Sequence, residues 1–145
     1  MTVNQHVVVI EELLRNVSTI LKKRGRDILS NFEITPPQLD ALLVLREYGE
    51  LTMGELCQKM FLACSTATDL IDRMERNQLI ERVRDTSDRR VIRLKVLSKG
   101  ATVIEEVLEA RRSYLGNILN ELDVADKERL IQALEQLNYL MTRGI

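Results

Sequence analysis

The side chains able to do chemistry in this chain are mostly cationic, and they are clustered. Between Arg73 and Lys99 stand nine basic residues (Arg73, Arg76, Arg82, Arg84, Arg89, Arg90, Arg93, Lys95, Lys99) and four acidic ones (Glu75, Glu81, Asp85, Asp88). The whole chain carries a formal charge of −1, so this stretch is positive within an otherwise acidic molecule. A polyanion responds to such a local patch rather than to the average charge. Just upstream, Ser65, Thr66, Thr68 and Asp69 place short hydrogen-bonding groups close together. Small polar side chains let a backbone approach base edges and phosphates, so the chemistry on offer is recognition of a nucleic acid.

Catalysis fails on inventory. His6 is the one imidazole, and Cys57 and Cys64 are the two thiols. No Ser/His/Asp set, Gly-rich phosphate loop or metal-spaced cluster is visible, so no enzyme, cofactor or metal is expected. Carboxylate pairs such as Glu11-Glu12 and Glu105-Glu106 are solvated on outer helix faces. Two thiols with a remote imidazole are too few for structural zinc. Both read as small buried apolar groups, although Cys64 near a helix N-terminus leaves thiol sensing open. His6 is expected in a frayed N-terminus.

These residues must be positioned by helices. The chain has 145 residues, 45% hydrophobic and 30% charged, with 3% aromatic, which suits one soluble, helical domain. No apolar run approaches the length of a membrane span, and no signal peptide is read, so a cytoplasmic protein is expected. Apolar residues from Val9 to Leu29 recur at three- and four-residue steps, predicting a long amphipathic helix over about 5–31. Thr35 caps a second helix to about Tyr48, with Pro36 and Pro37 in its first turn and Gly49 as its stop. Thr52 and Glu55 form a capping box for a short helix over 53–60. A fourth helix runs over 64–77, buries Ala67, Leu70, Ile71 and Met74, and ends on a left-handed Asn77.

The period then changes. Ile80–Arg84 and Val91–Val96 alternate and are rich in β-branched residues, predicting an antiparallel hairpin with Asp85–Arg90 at its tip. Two more helices follow, over about 98–119 and 124–142, the second capped by Asp123. A capped helix, a turn, a Ser/Thr-fronted helix and an Arg-tipped hairpin in succession form a winged helix-turn-helix. The Ser65 helix suits the major groove, and Arg89 or Arg90 the narrow minor groove.

The segments Leu51–Leu56, Ser65–Glu75, Ile80–Arg82 and Asp85–Arg90 resemble the MarR family of bacterial transcription regulators, and the resemblance spans essentially the whole chain. The Asp85-Thr86-Ser87-Asp88-Arg89-Arg90 wing is its most specific part. It implies a mainly α fold with a small β-hairpin wing. Residues 35–100 would be the DNA-binding region, and residues 1–34 and 101–145 a helical dimerisation region. It also implies a homodimer on a pseudo-palindromic operator, acting as a repressor and released by a small-molecule effector. By position, Ser65, Thr66, Thr68, Asp69 and Arg73 face double-stranded DNA, Arg90 beside Arg89 goes to the minor groove, and Asp88 orients Arg90. The chain departs from the family pattern at Asp69, at Ala63 in place of a Ser/Thr cap, at Gln78 where glycine is common, and at Leu97. Family members that sense oxidants use a cysteine near the start of the first helix, and none stands there in this chain. A thiol-responsive regulator of the same fold, and a dimeric adaptor that does not bind DNA, remain the alternatives.

Overall fold

Three helices open in the same way. Thr2, Thr35 and Thr52 each accept from the N–H three residues on, while Gln5, Gln38 and Glu55 accept from the cap's own N–H. These reciprocal caps start α1 (Val3–Ser30), α2 (Pro36–Tyr48) and α3 (Met53–Met60) in a computed structural model that describes residues 1–144. His6 therefore lies inside α1, one turn behind a closed capping box, and not in a frayed end. The remaining elements are β1 (Leu51–Thr52), α4 (Cys64–Arg76), β2 (Ile80–Arg84), β3 (Ile92–Val96), α5 (Ser98–Leu119) and α6 (Val124–Thr142).

Residues Met1–Glu109 form one compact unit. Its core gathers Leu39, Leu42 and Leu45 of α2, Leu56 of α3, Ile71 and Met74 of α4, Leu94 of β3 and Ile104 of α5, all essentially excluded from solvent. The sheet has three antiparallel strands in the order β1-β3-β2, with Leu94 opposite both Leu51 and Arg82. The hairpin is legible in the sequence. The two-residue strand β1 is not, because two residues show no alternation.

Turn geometry differs from expectation at one point. Asn77 ends α4 with φ −86°, and it is Gln78 that takes the left-handed conformation, at φ 62°. The Leu79 N–H then closes back on the Met74 carbonyl at 3.0 Å, and Lys99 Nζ donates to the Asn77 carbonyl at 2.8 Å. The position after the cap is the usual place for left-handed backbone, so Gln78 occupies a site where glycine is common. Gly100, by contrast, is demanded by packing. A Cβ there would stand 2.3 Å from the Leu79 carbonyl oxygen.

The second unit, Ala110–Ile145, holds the end of α5 and all of α6. Asp123 caps α6 by accepting from the Asp126 N–H at 2.7 Å. No residue of α6 is buried, and Leu130, Ile131, Leu134 and Leu140 are exposed. In the first unit the same holds for the α1 stripe from Val9 to Leu21, with burial beginning only at Gly25 and Leu29. Among the described residues no helix is long and apolar enough to cross a membrane.

Candidate nucleic-acid interface

The front of α4 is built by subtraction. Ala67, Leu70, Ile71 and Met74 turn one stripe of the helix into the core, and the remaining face carries Ser65, Thr66, Thr68, Asp69 and Arg73, none of them buried. Among the described residues, Ser65, Thr66, Asp69 and Arg73 make no side-chain hydrogen bond or ion pair within the protein. Thr68 does, its Oγ1 donating to the Cys64 carbonyl at 2.8 Å, which leaves its lone pairs available as acceptors. Ala63 stands at the N-cap and makes no side-chain capping bond, so N–H groups of the first turn stay open to an outside acceptor.

Reaching α4 requires a sharp reversal after α3. Phe61 adopts φ 55°, ψ 40°, and the Leu62 N–H donates to the Cys57 carbonyl at 3.1 Å. This left-handed closure ends α3 and lets α4 begin two residues later.

The wing is tied together at its tip. Asp85 N–H donates to the Val91 carbonyl at 2.9 Å, and Val91 N–H to the Asp88 carbonyl at 3.0 Å. Arg90 donates from its backbone N–H and its Nε to Asp88 Oδ1, each at 3.1 Å, and from Nη2 to Oδ2 at 3.2 Å. These bonds from the Arg90 side chain and backbone hold the Asp88 carboxyl below the usual carboxylate range. The guanidinium itself is highly exposed, at 90% of its side-chain surface. Arg84 Nη1 donates to the Arg89 carbonyl at 2.9 Å, leaving the Arg89 side chain outward.

Not all of the cationic stretch is available to a ligand. Arg93 packs against Glu55 and Asp85, at 3.7 Å to each, and donates to the Glu50 carbonyl. Arg82 is the larger correction. Its Nη1 pairs with Glu75 Oε1 at 2.6 Å and its Nη2 with Asp72 Oδ1 at 2.7 Å, while its backbone N–H reaches Glu75 Oε2 at 3.2 Å. Partial burial works against the charge, but the bonds to Asp72 and Glu75 outweigh it and raise the Arg82 guanidinium above its ordinary value. The clamp joins β2, the first strand of the wing, to the flank of α4. Its signal lies in Asp72 and Glu75, three apart on one helix flank, but nothing in the sequence says which arginine they meet.

The two thiols divide. Cys57 is buried in α3, as expected, whereas Cys64 is exposed at the first position of α4. Among the described residues no group of His, Cys, Asp and Glu is arranged to hold a metal ion.

An open polar helix front, braced to an arginine-tipped hairpin, defines the winged helix-turn-helix of a DNA-binding transcription regulator. Comparison with known proteins places it further. Residues 34–92 match the model of the MarR family. The chain is 45% identical to the uncharacterized HTH-type transcriptional regulator YsmB of Bacillus subtilis (strain 168), over 96% of this chain and 95% of that protein. It is 32% identical to the HTH-type transcriptional repressor MdtR of the same organism, over 81% of this chain and 76% of that one. The solved structure of a MarR family protein from Bacillus stearothermophilus superposes with a TM-score of 0.91 at 47% identity, covering 98% of this chain and 99% of that one. The chain belongs to the MarR family.

Proposed function

We propose that this regulator is a cytoplasmic repressor that binds a pseudo-palindromic operator as a homodimer. Ser65, Thr66, Thr68 and Asp69 read base edges in the major groove, and Arg73 contacts phosphate. Arg90, held by Asp88 and flanked by Arg89, enters the adjacent minor groove. The observation that carries this is the front of α4: accessible polar side chains, most of them without protein partners, on a helix whose other face is locked into the core. Repression is taken from the similarity to MdtR, a protein named as a repressor.

The dimer is supported by the exposed apolar side chains that α1 and α6 each carry. Leu13, Val17 and Ile20 of α1 are each more than half exposed, as are Ile131 and Leu134 of α6. Residues 1–34 and 101–145 then form the dimerisation region and 35–100 the reading head, with recognition helices about 34 Å apart, one turn of DNA. Release by a small apolar molecule is supported by a cleft of about 320 Å³ lined by Leu45, Leu94, Val96 and Ile104, with the Arg46–Glu105 ion pair in its wall.

Selecting bound fragments from a random DNA pool tests this reading. An enriched site with two inverted half-sites centred about one helical turn apart is expected. A pool without enrichment contradicts it. Sedimentation showing only a 16.7 kDa species at micromolar concentration contradicts the dimer.

A further inference from the structure

Thr52 belongs to two elements at once. It is the second residue of β1, opposite Arg93 of the central strand β3, and it is also the N-cap of α3. Its N–H donates to Glu55 Oε1 at 3.1 Å, and its Oγ1 accepts from the Glu55 N–H at 3.2 Å. The same Glu55 oxygen lies 3.7 Å from Arg93 Nη1. Arg93 Nη1 also donates to the Glu50 carbonyl at 3.4 Å, and its Nε faces Asp85 Oδ1 at 3.7 Å. Asp85 opens the wing tip, where its own N–H closes on the Val91 carbonyl. One guanidinium therefore spans from the start of α3 to the base of the wing tip. The Arg82 clamp ties the other wing strand, β2, to α4. Each strand of the hairpin is thus held to a different helix of the helix-turn-helix.

We infer that Arg93, between Glu55 and Asp85, is a positioning residue for DNA recognition that sets the reach of the wing from the helix-turn-helix. It decides whether Arg90 meets the minor groove while α4 is seated in the major groove. The two grooves are offset by a fixed distance along a duplex. A wing free to swing must be ordered on binding, and that ordering costs affinity. Charge alone predicts the opposite for the two carboxylates. Glu55 and Asp85 are anions beside a polyanion's proposed site, so neutralising either should strengthen attraction. The inference rests on the proposed entry of Arg90 into the minor groove.

The carboxylates carry the test, because replacing Arg93 would also remove a positive charge. Glu55→Gln keeps an oxygen for the Thr52 N–H, as Gln5 and Gln38 already provide at the caps of α1 and α2. Its urea unfolding midpoint is expected to stay near that of wild type. Its affinity for a duplex fragment selected from the random pool is expected to fall about threefold, the scale of a partly exposed ion pair. In an Arg90→Ala background the same change is expected to cost nothing further, since there is no wing contact left to position. Asp85→Asn is expected to repeat the pattern. Affinity at or above wild type in both single variants overturns the inference, as does a loss that persists undiminished without Arg90. If Arg90→Ala itself binds as tightly as wild type, the minor-groove reading fails and takes this inference with it. If Arg90→Ala binds weakly and the losses simply add, only the role of Arg93 fails.

Discussion

Arg82 grips both oxygens of Glu75, one through its guanidinium at 2.6 Å and the other through its backbone N–H at 3.2 Å. A third bond from the same guanidinium reaches Asp72 at 2.7 Å. These bonds tie the wing strand β2 to α4, and the Arg82 side chain is only 27% exposed. Arg82→Ala should cost about 1–2 kcal/mol in urea denaturation, a value set between exposed ion pairs and buried charged hydrogen bonds. It should also weaken DNA binding although the Arg82 guanidinium is spent on Glu75 and Asp72. Glu75→Gln keeps an acceptor for the backbone N–H and should lose less on both counts. Equal losses in the two variants would contradict the clamp.

The wing arginine sets an expectation about salt. Log K for wild type should fall linearly with log salt, and Arg90→Ala should flatten that line by about 0.9 for each phosphate that the arginine neutralises. Asp88→Ala should also weaken binding, although it removes a negative charge, because it frees Arg90 from its pose. Asp88 has a depressed folded value, so its contribution is present above the ordinary carboxylate range and is lost only as pH falls below it. The Arg90 effect should therefore be constant from about pH 5 to 8 in titrations on one DNA fragment.

Changes on the α4 front should behave differently. Ser65→Ala and Thr66→Ala are expected to leave the salt slope intact and to alter which bases are enriched. The discrimination removed should be about 1 kcal/mol at the affected position. Repeating the pool selection with each variant reads this directly.

Gly100 should tolerate no side chain. The Leu79 carbonyl lies 2.3 Å from where a Cβ would stand, and backbone cannot swing aside as a side chain does. Gly100→Ala is expected to cost about 1–3 kcal/mol by overpacking, in spite of alanine's better helix propensity. Thermal denaturation decides the sign.

Cys57 links stability to alkaline pH. Burial pushes its thiol up from the ordinary value of 9.0 to about 11 in the folded chain. For a thiol that must stay neutral inside the fold, stability is full below the unfolded value and declines as pH rises toward the folded one. Unfolding free energy should therefore decline between about pH 9 and 11, and Cys57→Ala should flatten that decline.

Much of this molecule is legible in its sequence because the signals are local. The capping residues Thr35, Thr52 and Asp123, the helix stop at Gly49 and the alternation of the wing strands each depend on neighbours a few residues away. The Asp88–Arg90 pair, two positions apart, is implied instead by the family resemblance. What escapes the sequence depends on distant packing. Arg82 meets Glu75 across seven residues and Asp72 across ten, and Arg93 meets Glu50 across forty-three. Charge counting therefore overstates the cationic surface open to a ligand. The left-handed site falls at Gln78 rather than Asn77 because helix closure onto Met74 outweighs residue preference. Cys64 departs from its expected burial for a similar reason, since only the turn at Phe61 determines that it lies outside while Cys57 lies within.

An α4 front and an arginine wing that address one duplex together, twice, through a symmetric dimer should leave a characteristic footprint. Hydroxyl-radical footprinting of the selected fragment with wild type and Arg90→Ala tests this most directly. Two symmetric protected regions about one turn apart are expected, with flanking minor-groove protection that disappears in Arg90→Ala while the inner protection persists. A single protected region, or flanking protection unchanged by removal of the arginine, would contradict it.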